Sequence, residues 1–384
     1  MKTRVTAEFI VGAAEVEVTA LGVRPHRLPA HVRARDADGQ LLAAEAQPSG
    51  VRVALRTASR QVSLELQASR VTYRGVHRPR GAVDVVVDGT HVHTCTLQHG
   101  DNTTMDLATG TGTSTPGTTD TISVHGLPSG DKVIEFWLPH NEMVDLIHLT
   151  ADRTVTPAHP PGRTWLHHGS SISQGSNATH PTGIWPVVAA RRAGVQLINL
   201  GFSGSALIDP FMARVIRDTP ADLISLKLGI NVVNLDAMRL RSFRPAVHGF
   251  LDTIREGHPT TPLLLVSPIH CDIHEDTPGP GAFDTDKLAQ GSVGFIATGS
   301  PEETALGRLT LQIIRQHLAA IVAERADDAL HYLDGRELHG PEDTRTHPLP
   351  DALHPGTQSH RIMGERFADI ALADGAPLGP AGRP

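Results

Sequence analysis

Two cysteines, Cys95 and Cys271, are all the thiols in this 384-residue sequence. That is too few for a disulfide framework, and a reducing compartment is the expectation. Aromatic residues make up only 4% of the chain, and the first half holds just Phe9, Tyr73, Phe136 and Trp137. So few rings exclude a broad stacking platform for sugars in that half. Phe136 and Trp137 are neighbours in VIEFWLP, so in a strand they face opposite ways and one is free to meet solvent. No run approaches the roughly 20 apolar residues that a membrane span requires. The start, MKTRVTAEFIVGAAEVEVTA, places Glu8, Glu15 and Glu17 where a signal peptide would be apolar. A cytoplasmic protein is expected. The formal net charge is -7, and no basic run is interleaved with aromatics, which argues against nucleic acid or an anionic membrane as a partner.

Histidine, in contrast, is plentiful at 23 residues. HVHTC sets His91, His93 and Cys95 two apart, and IHCDIHED gathers His270, Cys271, His274, Glu275 and Asp276. Neither follows a zinc-ligand spacing, so no metal is expected.

The two halves differ in period. VEVTAL, VRVALR and VSLEL alternate apolar and polar residues, the signature of half-buried strands. In VDVVVDGTHVHTCTL, Asp88 and Gly89 separate two β-rich runs, a hairpin signal. KVIEFWLP and MVDLIHLT are further strand candidates. Short strands with frequent turns predict an all-β sandwich of jelly-roll type over residues 1–155. The Gly/Thr tract 108–120 reads as an exposed loop. The proline-rich stretch 156–163 reads as a linker. Beyond it, over 164–384, the runs TWL, VQLINLG, DLISLKLG, PLLLVSPI and ALHYLDG alternate with amphipathic stretches at 184–193, 206–217, 235–256, 301–325 and 358–372. That alternation predicts an α/β domain, a parallel sheet with helices on both faces and a ligand site at the carboxyl ends of the strands.

Four predicted strand ends carry residues suited to acyl transfer. The first is followed by Gly169-Ser170-Ser171-Ile172. The second is followed by Gly201-Phe202-Ser203-Gly204. The third ends in Gly229-Ile230-Asn231, and Asp351-Ala352-Leu353-His354 follows the fifth. A serine hydroxyl needs an oriented base before it is a nucleophile, and its tetrahedral intermediate needs fixed donors. GFSGS lacks the last glycine of a Gly-x-Ser-x-Gly elbow, so Ser203 is not read as the nucleophile.

These four segments, in this order over about 164–372, resemble the blocks of the SGNH (GDSL) hydrolase superfamily. The resemblance implies a flavodoxin-like three-layer αβα domain. It implies Ser171 as nucleophile, His354 as general base and Asp351 as the acid that orients it. It also implies an oxyanion hole made of the Ser171 N–H, the Gly204 N–H and the Asn231 side-chain amide. Two positions depart from the family pattern: Ser170 replaces the usual acid before the nucleophile, and Val232 replaces the Asp that commonly follows the Asn. Trp185 is expected in the core and Asp334 at a strand-end turn. The Gly/Pro/Asp-rich segment 271–300 is expected near the site, covering an acyl pocket or admitting an acceptor.

A β-sandwich ahead of such a domain resembles both carbohydrate esterases and GDSL acyltransferases that decorate bacterial natural products. The resemblance therefore implies a small-molecule acyl donor and a hydroxyl acceptor, with no cofactor. Acyl-CoA enters only as a co-substrate of the favoured transferase reading. A hydrolase of small esters or acetylated sugars is the alternative, and a binding protein with an inactive enzyme domain is the third. The sandwich itself is expected to be structural.

Overall fold

The computed structural model describes residues 1–106 and 109–380. The chain forms two compact units, Met1–Pro161 with Thr179–Thr182, and Gly162–Ala178 with Gly183–Pro384.

The first unit is a β-sandwich. The long strand Val62–Tyr73 is central to an eight-stranded sheet and pairs with Met143–Ala151, Asp120–Val124 and, in parallel, Asp101–Met105. A six-stranded sheet contains Arg52–Thr57, Lys132–Trp137, Ala82–Val87 and Thr90–Thr96. Alternate residues of both sheets, among them Val53, Leu55, Leu64, Leu66, Val85, Phe136 and Leu149, share one buried core. Asp88 and Gly89 both adopt left-handed φ (46° and 76°) and close the hairpin between Ala82–Val87 and Thr90–Thr96, as an Asp-Gly turn should.

Three expectations are modified. Neither Phe136 nor Trp137 meets solvent: Trp137 lies on the outer side of its strand, but the Arg52 guanidinium covers its ring at 4.5 Å. The Gly/Thr tract contains an exposed edge strand, Gly112–Thr115, paired with Asp101–Met105; Ala108, at the start of that tract, lies outside the described residues. Part of the expected linker is also strand, since Val155–Pro157 pairs with Arg52–Thr57.

The second unit has a five-stranded parallel sheet. All five predicted apolar runs are its strands: Thr164–Gly169, Gln196–Gly201, Leu223–Lys227, Leu263–Val266 and Leu330–Leu333. The order across the sheet is second, first, third, fourth, fifth. Connections run one way from the first strand to the second and the other way from the third onward. Right-handed crossovers therefore send helices to opposite faces. Trp185–Ala193 packs against Thr357–Phe367, and Pro210–Asp218 packs against Leu240–Gly257. The topological switch lies between the first and third strands, where such sheets bind ligands.

Helix starts shift from their expected places for local reasons. Ile208 and Asp236 adopt left-handed φ (65° and 48°), which delays two helices to Pro210 and Leu240. Gly307, at φ 81°, splits the segment 301–325 into a 3-10 turn, Pro301–Leu306, and a helix, Leu311–Glu324. Among the described residues no helix is long and apolar enough to cross a membrane.

Candidate active site

The first strand ends at Gly169 and leads directly into the one-turn helix Ser171–Gln174. Ser170 is its N-cap, with its hydroxyl accepting from the Ile172 N–H at 3.3 Å, so the residue that departs from the family pattern has a local role. Gly175, at φ 114°, ends the turn. The turn sits tightly on the second strand: a Cβ on Gly201 would lie 2.5 Å from the Gln174 nitrogen. Only glycine there lets Ser171 come so close to the sheet edge.

Ser171 is far in sequence from Asp351 and His354, which lie three residues apart, and the three meet in one hydrogen-bonded chain. Ser171 Oγ lies 2.9 Å from His354 Nε2, and His354 Nδ1 lies 2.8 Å from Asp351 Oδ2. All three residues are buried, with His354 the most exposed at 9%. Asp351 Oδ1 also accepts the backbone N–H groups of His354 (2.7 Å) and Leu353 (3.0 Å). Left-handed Ala352, φ 68°, folds the loop so that both reach it. Burial pushes the Asp351 carboxyl up, but the hydrogen bonds from the His354 ring and from these backbone groups outweigh it and hold it down at about 2. An ionised carboxylate only accepts, so Nδ1 must carry the imidazole proton. Nε2 is then left with its lone pair facing the Ser171 hydroxyl.

Of the three expected oxyanion donors, one is already engaged. Asn231 Oδ1 accepts the Ala206 N–H at 3.2 Å, which fixes the amide. The Ser171 N–H is not free: it donates to the Ser203 carbonyl at 2.7 Å. Ser203 adopts left-handed φ (47°) in the 202–205 turn, closed by Ser205 N–H to Phe202 C=O at 2.8 Å, and this turns its carbonyl toward Ser171. Gly204 is the other central residue of the same turn.

Several supporting residues lie outside the sequence-level reading. Asn177, left-handed at φ 67°, donates through Nδ2 to Asp351 Oδ2 at 3.1 Å. Beneath the Ser171–Gln174 turn, His167 is fully buried between two hydroxyls, Ser173 Oγ at Nε2 and Ser225 Oγ at Nδ1, each 2.7 Å away. Trp165 Nε1 also donates to Ser225 Oγ, and Asn199 Nδ2 donates to the Ser173 carbonyl. Burial holds His167 well below the ordinary histidine range. Trp185 packs against Trp165, His167 and Phe367 in the core. Asp334 caps a turn at the end of the fifth strand by accepting the Arg336 N–H. Val232 is fully buried. The histidine signal could have flagged His167, but only the tertiary fold reveals its partners. Among the described residues no group of three His, Cys, Asp or Glu side chains is arranged to hold a metal ion.

Residues 164–275 match the GDSL-like lipase/acylhydrolase family. Residues 10–146 match a second family, described as the N-terminal domain of SsfX3. Among solved structures, the chain is similar to the salicylyl-acyltransferase SsfX3 from a tetracycline biosynthetic pathway, at 27% identity and a TM-score of 0.77 over 95% of each chain. A candidate GDSL-like lipase from Bacteroides ovatus matches at 17% identity and TM-score 0.68 over 96% of each chain. An acetyl xylan esterase from the rumen bacterium Butyrivibrio proteoclasticus matches at 9% identity and TM-score 0.53, again over 96% of each. The last two share the fold. No curated protein matches the sequence.

Proposed function

We propose that this GDSL-like protein is an O-acyltransferase that carries its acyl group on Ser171, taking it from an acyl-thioester such as acyl-CoA and passing it to a small-molecule hydroxyl. The observation that carries the serine chemistry is the buried chain from Ser171 through His354 to Asp351. The preference for transfer over hydrolysis is supported by the similarity, across both units, to a structure described as an acyltransferase.

In this reading Ser171 Oγ attacks the thioester carbonyl while His354 Nε2 takes its proton. The tetrahedral intermediate expels the thiol, which leaves with that proton. The acceptor hydroxyl then gives its proton to the same nitrogen, attacks the acyl-enzyme, and Ser171 regains its hydrogen. Asp351 keeps Nδ1 protonated and stabilises the imidazolium.

The oxyanion site requires one local change. Turning over the peptide bond between Ser203 and Gly204 moves the Ser203 carbonyl off the Ser171 N–H and swings the Gly204 N–H toward the nucleophile. Turns related by such a flip share their Cα positions and their closing hydrogen bond, and differ in φ at the second central residue. Glycine there accepts either φ. The Asn231 amide completes the set.

A hydrolase acting on small esters passes through the same acyl-enzyme and is the second reading, favoured by the fold shared with an esterase. The direct test is Ser171→Ala, assayed with 4-nitrophenyl esters and with acyl-CoA thioesters. A loss of at least about 10⁴-fold in kcat is expected; turnover within tenfold of wild type would overturn the assignment. Hydrolysis of acetylated sugars without any thioester consumption would decide for the second reading.

A further inference from the structure

The insertion 271–300 folds into an element that reaches the reacting histidine. Its strands Gly281–Phe283 and Phe295–Ala297 form an antiparallel hairpin in which Phe283 pairs with Phe295. The Phe295 N–H donates to the Asp351 carbonyl at 2.9 Å, and Cys271 Sγ donates to the Ala352 carbonyl at 3.4 Å. At its base, buried Arg315 donates to the carbonyls of Pro268 and Ile269 and pairs with Glu275 through two nitrogens. The hairpin is therefore clipped to the loop that carries Asp351 and His354.

Two rings follow from that docking. Phe295 packs against the His354 imidazole with centroids 5.5 Å apart and planes at 74°. Phe283 stacks on Phe295 at 5.2 Å and 30°, and stays 37% exposed. In a chain with so few aromatics, a continuous face of two phenyl rings leads from solvent to the imidazole.

Its position relative to the chemistry gives it a meaning. In serine acyl transfer every group exchanged at the acyl carbon passes the same imidazole nitrogen: the departing thiol receives its proton there and the incoming hydroxyl surrenders one. The side of the site beside His354 thus belongs to the acceptor and leaving group, and the acyl group lies with the oxyanion donors. Aromatic faces prefer offset or edge contacts with other planar apolar groups, and an apolar wall at this place disfavours water as the nucleophile.

The geometry points to Phe283 and Phe295 as the residues that select the acceptor, and to an acceptor whose hydroxyl is carried by a planar aromatic or fused-ring frame. The inference rests on the acyl-transfer reading above. In the step concerned, the bond from the acyl carbon to Ser171 Oγ breaks as the bond to the acceptor oxygen forms. The hydroxyl proton passes to His354 Nε2 and on to Ser171 Oγ, with no other reactant.

The test acylates the enzyme with 4-nitrophenyl acetate or benzoate and measures, by chromatography and mass spectrometry, the ratio of transfer to hydrolysis. The acceptors are 2-naphthalenemethanol, 1-propanol and methyl glucoside. Because the ratio is taken per acyl-enzyme consumed, it does not depend on the rate of acylation. Wild type is expected to favour the naphthyl acceptor over both others. Phe283→Ala and Phe283→Leu should lower the naphthyl ratio about tenfold and the propanol ratio by less than twofold, with Phe283→Tyr restoring it. Phe295→Leu should lower the naphthyl ratio as well. A naphthyl ratio unchanged in the Ala and Leu variants, an equal fall with propanol, or a wild-type preference for methyl glucoside would overturn the proposal. Failure of wild type to form any acyl-enzyme would remove the transfer reading itself, and this inference with it.

Discussion

Asp351 joins four hydrogen bonds, two from backbone N–H groups on Oδ1 and two from His354 and Asn177 on Oδ2. In Asp351→Asn the backbone donors hold the amide oxygen at the Oδ1 position and turn the NH₂ toward His354. Nδ1 must then accept, the ring proton moves to Nε2, and the base facing Ser171 is lost. A fall in kcat of about 10⁴-fold is expected from steady-state kinetics, with a folded protein by circular dichroism; a fall below tenfold would contradict the tautomer argument.

Buried histidines set a second residue-scale expectation. His360 accepts the Trp185 N–H at Nδ1 and donates from Nε2 to the Ser176 carbonyl, so it is held neutral. Burial pushes both His360 and His168 down to about 4. The unfolded chain binds these protons at about 6.5, so their contribution to stability is full above that pH and falls as pH drops toward 4. Each histidine costs roughly 3 kcal/mol at the bottom of that window. Asp351 acts in the next window: its depressed carboxyl stabilises the fold above about 4 and loses that contribution as pH falls toward 2. Urea midpoints should therefore decline steadily between pH 6 and 4; a flat profile from pH 6 to 4 would refute the neutral assignment. Asn177 and His167 were not legible in the sequence, because a left-handed loop residue and a buried imidazole declare their roles only through partners distant in the chain.

The elements that place the site are two short turns on the sheet edge and one hairpin. Gly204→Ala puts a Cβ where the proposed peptide turnover needs left-handed backbone, so kcat should fall about 10²-fold with KM little changed. An unaltered kcat would mean that the oxyanion is held without this turn. His167→Phe leaves the Ser173 and Ser225 hydroxyls without their shared partner and should destabilise the protein by about 1–3 kcal/mol per unsatisfied group, measured as a lowered thermal midpoint. A midpoint equal to wild type would show that the layer under the nucleophile turn is not under that constraint. Strands were legible because period-2 runs and the Asp88-Gly89 turn act locally, and the five apolar runs of the second unit are its five strands. Helix starts were less so, since the left-handed conformations of Ile208 and Asp236 are not announced by their residue types. The cover of Trp137 was not legible either, because Arg52 comes from a neighbouring strand.

At the scale of the whole molecule, residues 10–146 and 164–275 each match a known family, and the chain aligns over 95% of its length with one structure described as an acyltransferase. Ser171, His354 and Asp351 could be singled out because each follows a recognisable strand or loop of the sheet, and the fold brings the three into hydrogen-bond contact. The blocked Ser171 N–H and the Phe295 contact were not legible, since both depend on loop conformations that composition does not encode. In the proposed function, water and an alcohol compete for one acyl-enzyme. The central claim is therefore the acyl-enzyme on Ser171. It is tested most directly by quenching the protein in acid after brief exposure to a panel of acyl-CoA thioesters, then measuring intact and peptide masses. The account predicts one acyl group per chain, on the peptide containing Ser171, absent from Ser171→Ala and discharged as an ester when an alcohol is added. An unmodified wild-type chain that still turns thioester over, or an adduct that persists in Ser171→Ala, would contradict it.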